Sequence, residues 1–169
     1  MKSVLMVIAP QQFRDEEYAR PRAILEERGA WVETASTRPG QCHGKLGMAT
    51  KADLALRDAD PADYAAVIFV GGGGAEVFFD DSAAHKLAQA MHEAGKVVAA
   101  ICIAPSVLAH AGLLTGVSAT AFSSQEEDLR AHGAIWTGKP VTVDGTIITA
   151  NGPEASRLFG RAVAEAIGL

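Results

Sequence analysis

Apolar residues along the chain fall into continuous runs and helically spaced sets. Ser3 to Ala9, Ala65 to Val70 and Val97 to Ile101 are unbroken apolar runs, as expected of central parallel strands covered on both faces. Trp31 to Ala35 alternates, like a second strand. From Asp15 to Gly29, Tyr18, Ala23, Ile24 and Leu25 mark a helix that Gly29 ends, with Pro21 either opening its regular part or kinking it. Ser36 to Gly47 is a turn-rich excursion that reads as a hairpin, and the strand signal from Leu54 to Ala59 is weak. Asp81 to Gly95 places Leu87, Met91 and Ala94 on one side of a helix.

Later in the chain, Ala104, Val107, Leu108 and Ala111 repeat at helical spacing, and Gly112 stops that helix. Ser118 to Phe122 reads as a strand and Ser123 to His132 as a polar helix. Ala134 to Trp136, Val141 to Val143 and Thr146 to Ala150 read as strands, the last two joined by the Asp144-Gly145 hairpin signal. Glu154 to Ile167 closes the chain as a helix. Alternating strands and helices predict an α/β doubly wound, mostly parallel sheet with helices on both faces and right-handed crossovers. No repeat or linker divides residues 1–169, so one domain is expected.

The stretch Val97 to Gly112 contains the sharpest chemical signal. A buried strand runs into a helix with almost no loop, and Cys102 occupies the corner. Unpaired N–H groups and the positive dipole end at a helix N-terminus favour the thiolate over the thiol. The corner resembles a nucleophile elbow, although the G-x-S-x-G pattern is absent. A core cysteine would more naturally fall within the strand than at its carboxyl end, where open α/β sheets bind ligands.

Gly71 to Gly74 also follow a strand. No GK[ST] follows them and no complete G-x-G-x-x-G is present, so neither a phosphate loop nor a dinucleotide fingerprint is read. Bare backbone N–H groups there can serve as oxyanion donors. Asp15, Glu16 and Glu17 open the first helix, where carboxylates complement the dipole. Glu17 and Glu76 both sit on the rim formed by strand carboxyl ends, Glu76 reading from the residues alone as a solvated loop acid. His110 lies about 12 Å along the helix from Cys102, too far to serve it as a base. His85 and His92 fit one helix surface, and His132 precedes a helix-ending glycine. Cys42 and His43 are adjacent but lack a second ligand pair, so no metal or cofactor is assigned.

Composition narrows the functional classes. The 169 residues are 49% apolar and 21% charged, with a net charge of −5 and no basic run. Nucleic acid is therefore not expected as a partner. The two cysteines make no disulfide framework and suit a reducing compartment. No apolar run reaches the roughly 18 residues of a membrane span, so a cytoplasmic, soluble protein is expected.

Four segments resemble the ThiJ/PfpI superfamily: VLMVIAPQQFRDEEYARP, IFVGGGGAE, AAICIAPSVLAHAGLL and VDGTIITANGP. The resemblance covers nearly the whole chain. It implies a flavodoxin-like fold, shared with class I glutamine amidotransferases. It implies that Cys102 is the reactive elbow cysteine, that Glu17 hydrogen-bonds its sulfur, and that Gly72 and the N–H of Ile103 are oxyanion donors. It further implies that Glu76 reaches a neighbouring subunit's site in oligomers, and that Cys42 lies near a dimer contact. A homodimer, or a higher oligomer, is expected.

Two departures narrow the activity. Ile103 stands where PfpI-like members carry histidine, and SATAFSS, with Ala121 and Phe122, replaces the T-T-H-P-like segment of the other branch. The downstream H-x-E of amidotransferases is also absent. PfpI-type proteolysis and amidotransfer are therefore disfavoured. Two readings involve a small-molecule electrophile or oxidant. One is a cofactor-free glyoxalase- or deglycase-like enzyme for small reactive carbonyls; the other is a non-catalytic redox sensor or stress protein whose cysteine oxidises to a sulfinate. A third is a scaffold with an inert cysteine.

Overall fold

The computed structural model describes residues 1–169. In chain order the elements are β1 (Ser3–Val7), β2 (Gln11–Phe13), α1 (Asp15–Glu27), β3 (Trp31–Ser36), β4 (Gly40–Gly44), β5 (Ala49–Ala52) and β6 (Leu54–Ala55). There follow β7 (Ala66–Phe69), α2 (Ser82–Glu93), β8 (Val97–Ile101), α3 (Pro105–His110), β9 (Ser118–Ala119) and α4 (Glu126–Ala131). The chain ends with β10 (Ile135–Trp136), β11 (Val141–Asp144), β12 (Ile147–Ala150) and α5 (Ser156–Ala166). No helix is long and apolar enough to cross a membrane.

Seven strands form the central sheet in the order β11-β12-β8-β7-β1-β3-β6, parallel except for the β11–β12 hairpin. The chain begins in the middle and winds outward to each side in turn, the flavodoxin-like arrangement the alternation predicted. The continuous apolar runs are explained by two core layers. Leu5, Val7 and Ala9 face one layer, packed with Leu87, Met91, Val107 and Leu108 from α2 and α3. Val4, Met6 and Ile8 face the other, with Tyr18, Leu25, Phe159 and Val163 from α1 and α5. Burying each such side chain contributes about 1.5–3 kcal/mol. Both faces of β1 are therefore filled, and no position from Val4 to Val7 can be polar at little cost.

Several local expectations change. Pro21 does not open α1, because the helix already starts at Asp15 and Pro21 lies inside it. It packs against α5, where a Cβ on Gly160 would lie 2.8 Å from the Pro21 Cα. The turn-rich excursion is the expected hairpin, β4 antiparallel to β5. A third strand, β2, joins it in parallel from the polar loop after β1. Only Phe13 of β2 is buried and Gln12 has φ of 61°, so no alternation advertised this strand. The expected strand from Ser118 to Phe122 shrinks to β9, paired with β10 outside the main sheet. The weak Leu54–Ala59 signal resolves into β6 and a 3₁₀ turn, Leu56–Asp58.

Candidate functional site

The loops after β1, β7 and β8 meet at the carboxyl edge of the sheet, where the winding direction reverses. Cys102 directly follows β8 and adopts φ of 64°. That region is costly for a side chain with a Cβ, and the surrounding hydrogen bonds hold it there. The Cys102 N–H donates to Ala150 O at 2.9 Å, and Cys102 O accepts from Phe122 N–H at 2.8 Å. The expected strand-to-helix corner is thus a strained elbow, with its side chain half-buried.

The glycines are there for proximity. A Cβ on Gly71 would fall 2.5 Å from the Cys102 Cβ, 2.8 Å from Ile101 O, and upon the Glu17 carboxyl. Gly72 has φ of 96°, and a Cβ there would strike the backbone from Gln12 to Arg14. The Arg14 N–H donates to Gly71 O at 2.9 Å, locking the two loops together. Three chain segments thereby close around one sulfur.

Glu17 is completely buried on α1, and neither carboxyl oxygen has a hydrogen bond of good geometry. Its polar neighbours are the Cys102 sulfur and the Gly71 N–H. Burial raises the Glu17 pKa to about 8, against the opposing influence of Cys102, the Arg14 charge and the Gly71 N–H. Burial also pushes the Cys102 thiol up to about 12, with the Glu17 charge adding to the rise. The N–H groups of Gly72 and Ile103, both directed at the sulfur, oppose it.

A thiolate favoured by the helix end alone is therefore not what the structure holds. α3 is only six residues long, less than two turns, so little dipole accumulates. Desolvation outweighs it. A thiolate at Cys102 requires the proton to reside on Glu17, which removes the repelling charge and supplies a donor. The two groups hold that proton as a pair.

The structure thus gathers Cys102, Glu17, Gly72 and Ile103. Glu76 is exposed on the 3₁₀ turn Gly73–Phe78 and does not join them within one chain. Asp15 and Glu16 do more than complement a dipole. The Asp15 carboxylate accepts from the N–H groups of Leu46 (3.0 Å) and Met48 (2.9 Å), holding the β4–β5 turn. Glu16 takes both Arg14 donors at 3.0 Å, which lowers its pKa. Cys42 is buried and His43 exposed on the same strand, so adjacent residues point apart and cannot share an ion.

Two features escaped the sequence reading. Arg14 lies near enough to Cys102 and Glu17 for their charges to favour its guanidinium, after its hydrogen bond to Glu16. A cleft of about 420 Å³, lined by Phe122, Trp136, Asn151, Gly152 and Glu154 among others, opens beside the elbow. Its walls continue from Ala150 and Phe122, the residues bonded to the Cys102 backbone. Only the fold brings those segments together.

A flavodoxin-like α/β protein with a cysteine at a strained elbow, facing a buried glutamate, is the class these features define. A model of the DJ-1/PfpI family matches residues 2–166, and the chain belongs to that family. The uncharacterized protein MJ0967 of Methanocaldococcus jannaschii is 43% identical over 167 residues, covering 97% of this chain and 82% of that protein. Deglycase TK1284 of Thermococcus kodakarensis is 32% identical over 149 residues, covering 88% and 90% respectively. A ThiJ/PfpI domain protein from Brachyspira murdochii superposes with a TM-score of 0.96 at 35% identity, covering 98% of this chain and 95% of its own.

Proposed function

We propose that this chain is a cofactor-free, cysteine-dependent enzyme acting on small reactive carbonyls, the chemistry suggested by its deglycase-named relative. The observation that carries the reading is the Glu17 carboxyl, fully buried without a hydrogen-bond partner and facing the Cys102 sulfur. Leaving such a group unpaired costs about 1–3 kcal/mol or more, a cost the fold tolerates where the group handles a proton.

With the proton on Glu17, the Cys102 thiolate forms a C–S bond to the aldehyde carbon of an α-oxoaldehyde such as methylglyoxal. The carbonyl π pair moves to oxygen, which the Gly72 and Ile103 N–H groups receive. Glu17 then protonates that oxygen, giving a hemithioacetal and a carboxylate. The carboxylate removes the proton on the former aldehyde carbon and returns it to the neighbouring carbon, while a hydroxyl proton passes between the two oxygens. The aldehyde carbon is oxidised and the ketone reduced, leaving an α-hydroxy thioester. Water cleaves it, releasing the hydroxy acid and restoring the thiol and its shared proton.

The test is methylglyoxal consumption per Cys102. Many equivalents consumed by the wild type, and none by Cys102→Ser, support the enzyme. One equivalent consumed and no hydroxy acid released refutes it.

A second reading rests on the donors converging at a half-buried sulfur with no histidine among the groups that face it. Two equivalents of hydrogen peroxide would each transfer one oxygen to Cys102 and leave water, giving a sulfinate held by the Gly72 and Ile103 N–H groups and protonated Glu17. A stable mass gain of two oxygens at Cys102, without carbonyl turnover, selects this reading. Either way, the exposure of Glu76 fits a homodimer or larger assembly in which it meets a neighbour's site. Sedimentation of the wild type and Glu76→Ala checks that.

A further inference from the structure

At the far end of α3 the fold assembles a second polar cluster, remote in sequence from the elbow's other residues. His110, Asp128 and His132 each offer a ligand atom, all within 4.8 Å of one another. His110 is the last residue of α3, while Asp128 and His132 lie on and just past α4. We propose that these three side chains bind a divalent transition-metal ion of the zinc type, with water completing a tetrahedron.

The hydrogen bonds around His110 supply the independent argument. His110 Nδ1 lies 2.8 Å from Asp80 Oδ1, and Nε2 lies 2.9 and 3.0 Å from the two Asp128 oxygens. A neutral imidazole has only one N–H. If Nδ1–H donates to Asp80, the Nε2 lone pair confronts a carboxylate, and a cation must lie between them. Either a second proton or a metal ion meets that need.

A carboxylate receiving the far N–H of a histidine is the arrangement that orients metal-binding imidazoles and fixes their tautomer. Asp80 is placed to do this. Neutral imidazole and carboxylate together suit zinc, whose bonds to them are about 2.0–2.2 Å. Ligand atoms in such a tetrahedron stand about 3.3 Å apart. His110 Nε2 and His132 Nδ1 lie 3.0 and 3.5 Å from the same oxygen, Asp128 Oδ1, close to that spacing on either side.

One movement is required. The His110 and His132 rings stack with centroids 4.7 Å apart and planes inclined by 23°. His132 must turn to aim a lone pair at the ion, giving up its 2.8 Å contact with Asp128 O. Its side chain is 38% exposed at the end of α4, which leaves room for the turn.

Zinc is titrated into the full chain carrying Cys42→Ser and Cys102→Ser, with binding read by competition against a chromophoric chelator. Cobalt absorption then reports the ligand geometry. One zinc per chain, a tetrahedral cobalt spectrum, and loss of both in His132→Gln and in Asp128→Asn are expected. Asp80→Asn should weaken binding by about 10–100-fold. Circular dichroism of each variant confirms that it is folded. Absence of stoichiometric binding by the serine background, or affinity unchanged in both folded ligand variants, overturns the site. It would then be a protonated-histidine clamp between helices.

Discussion

The two ends of α3 hold carboxyl groups in opposite ways. Before its N-terminus, Glu17 faces Cys102 with both oxygens buried and unpaired. At its C-terminus, Asp80 and Asp128 accept from or confront His110 at normal hydrogen-bond distances, and Asp80 is exposed. Burial raises the Glu17 pKa to about 8, whereas the hydrogen bond from His110 lowers that of Asp80. The same functional group is thus kept protonatable at one end and anionic at the other. Water and partners decide which: a dry, unpartnered carboxyl is poised to move a proton, and a solvated, paired one to hold a cation.

Removing the groups at the dry end should have the largest effects. Cys102→Ser should abolish carbonyl turnover. Glu17→Ala should lower kcat by about 10²–10⁴-fold, the usual contribution of a positioned proton-transfer group. Glu17→Gln keeps a donor toward sulfur but has no proton to give and no carboxylate to take one, so it should neither complete the hemithioacetal step nor release product. Full turnover in both Glu17 variants would remove the contrast between the two ends.

Gly71→Ala tests distance rather than chemistry. The new Cβ would have to separate Glu17 from Cys102, and a misplacement near 1 Å costs about 10²-fold in rate. The expected result is a folded protein with kcat reduced to that extent and both side chains intact.

The Glu17 pKa also predicts two pH dependences. Turnover needs a single proton on the pair, resting on Glu17 while the sulfur is ionised. Below about 8 each group holds its own proton. Turnover should therefore rise as pH rises through about 8, and this limb should be absent from any residual activity of Glu17→Gln. For stability, the folded pKa lies above the unfolded value. The folded state therefore binds the extra proton between the two, and stability is lost as pH rises from about 4.5 to about 8. The full loss is on the order of 3–5 kcal/mol. Urea titrations at pH 5 and pH 9 should show this loss in the wild type and little of it in Glu17→Gln.

The sheet and the elbow were legible because their signals are local. Continuous apolar runs mark strands buried on both faces, and Cys102 stands where one such run changes to helical spacing. Glu17, Gly72 and Ile103 entered through resemblance, and the fold places all three at the sulfur. What stayed hidden depends on groups distant in the chain. Gly71 is required by Glu17 and Cys102 together, and β2 exists only because β4 pairs with it. His110, set aside as too far from Cys102, and His132, noted only before a helix-ending glycine, come together because α3 and α4 pack. The thiolate expectation failed for a related reason: a dipole argument can be made from the sequence, but desolvation by α1 and the glycine loop cannot.

The smallest effect concerns a carboxylate two residues from Glu17. Asp15 accepts two backbone N–H groups from the β4–β5 turn, so it belongs with the satisfied carboxylates. Asp15→Ala leaves those donors to water and should cost about 1–2 kcal/mol of stability. Because the turn lies on the hairpin and not among the groups around the sulfur, turnover should stay within about twofold. That bound is far below the proton-transfer contribution expected of Glu17. A urea melt with a parallel methylglyoxal assay checks both values. If Asp15→Ala remained folded yet lost turnover as Glu17→Ala does, hydrogen-bond satisfaction would no longer separate the structural carboxylates of this chain from the one that moves a proton.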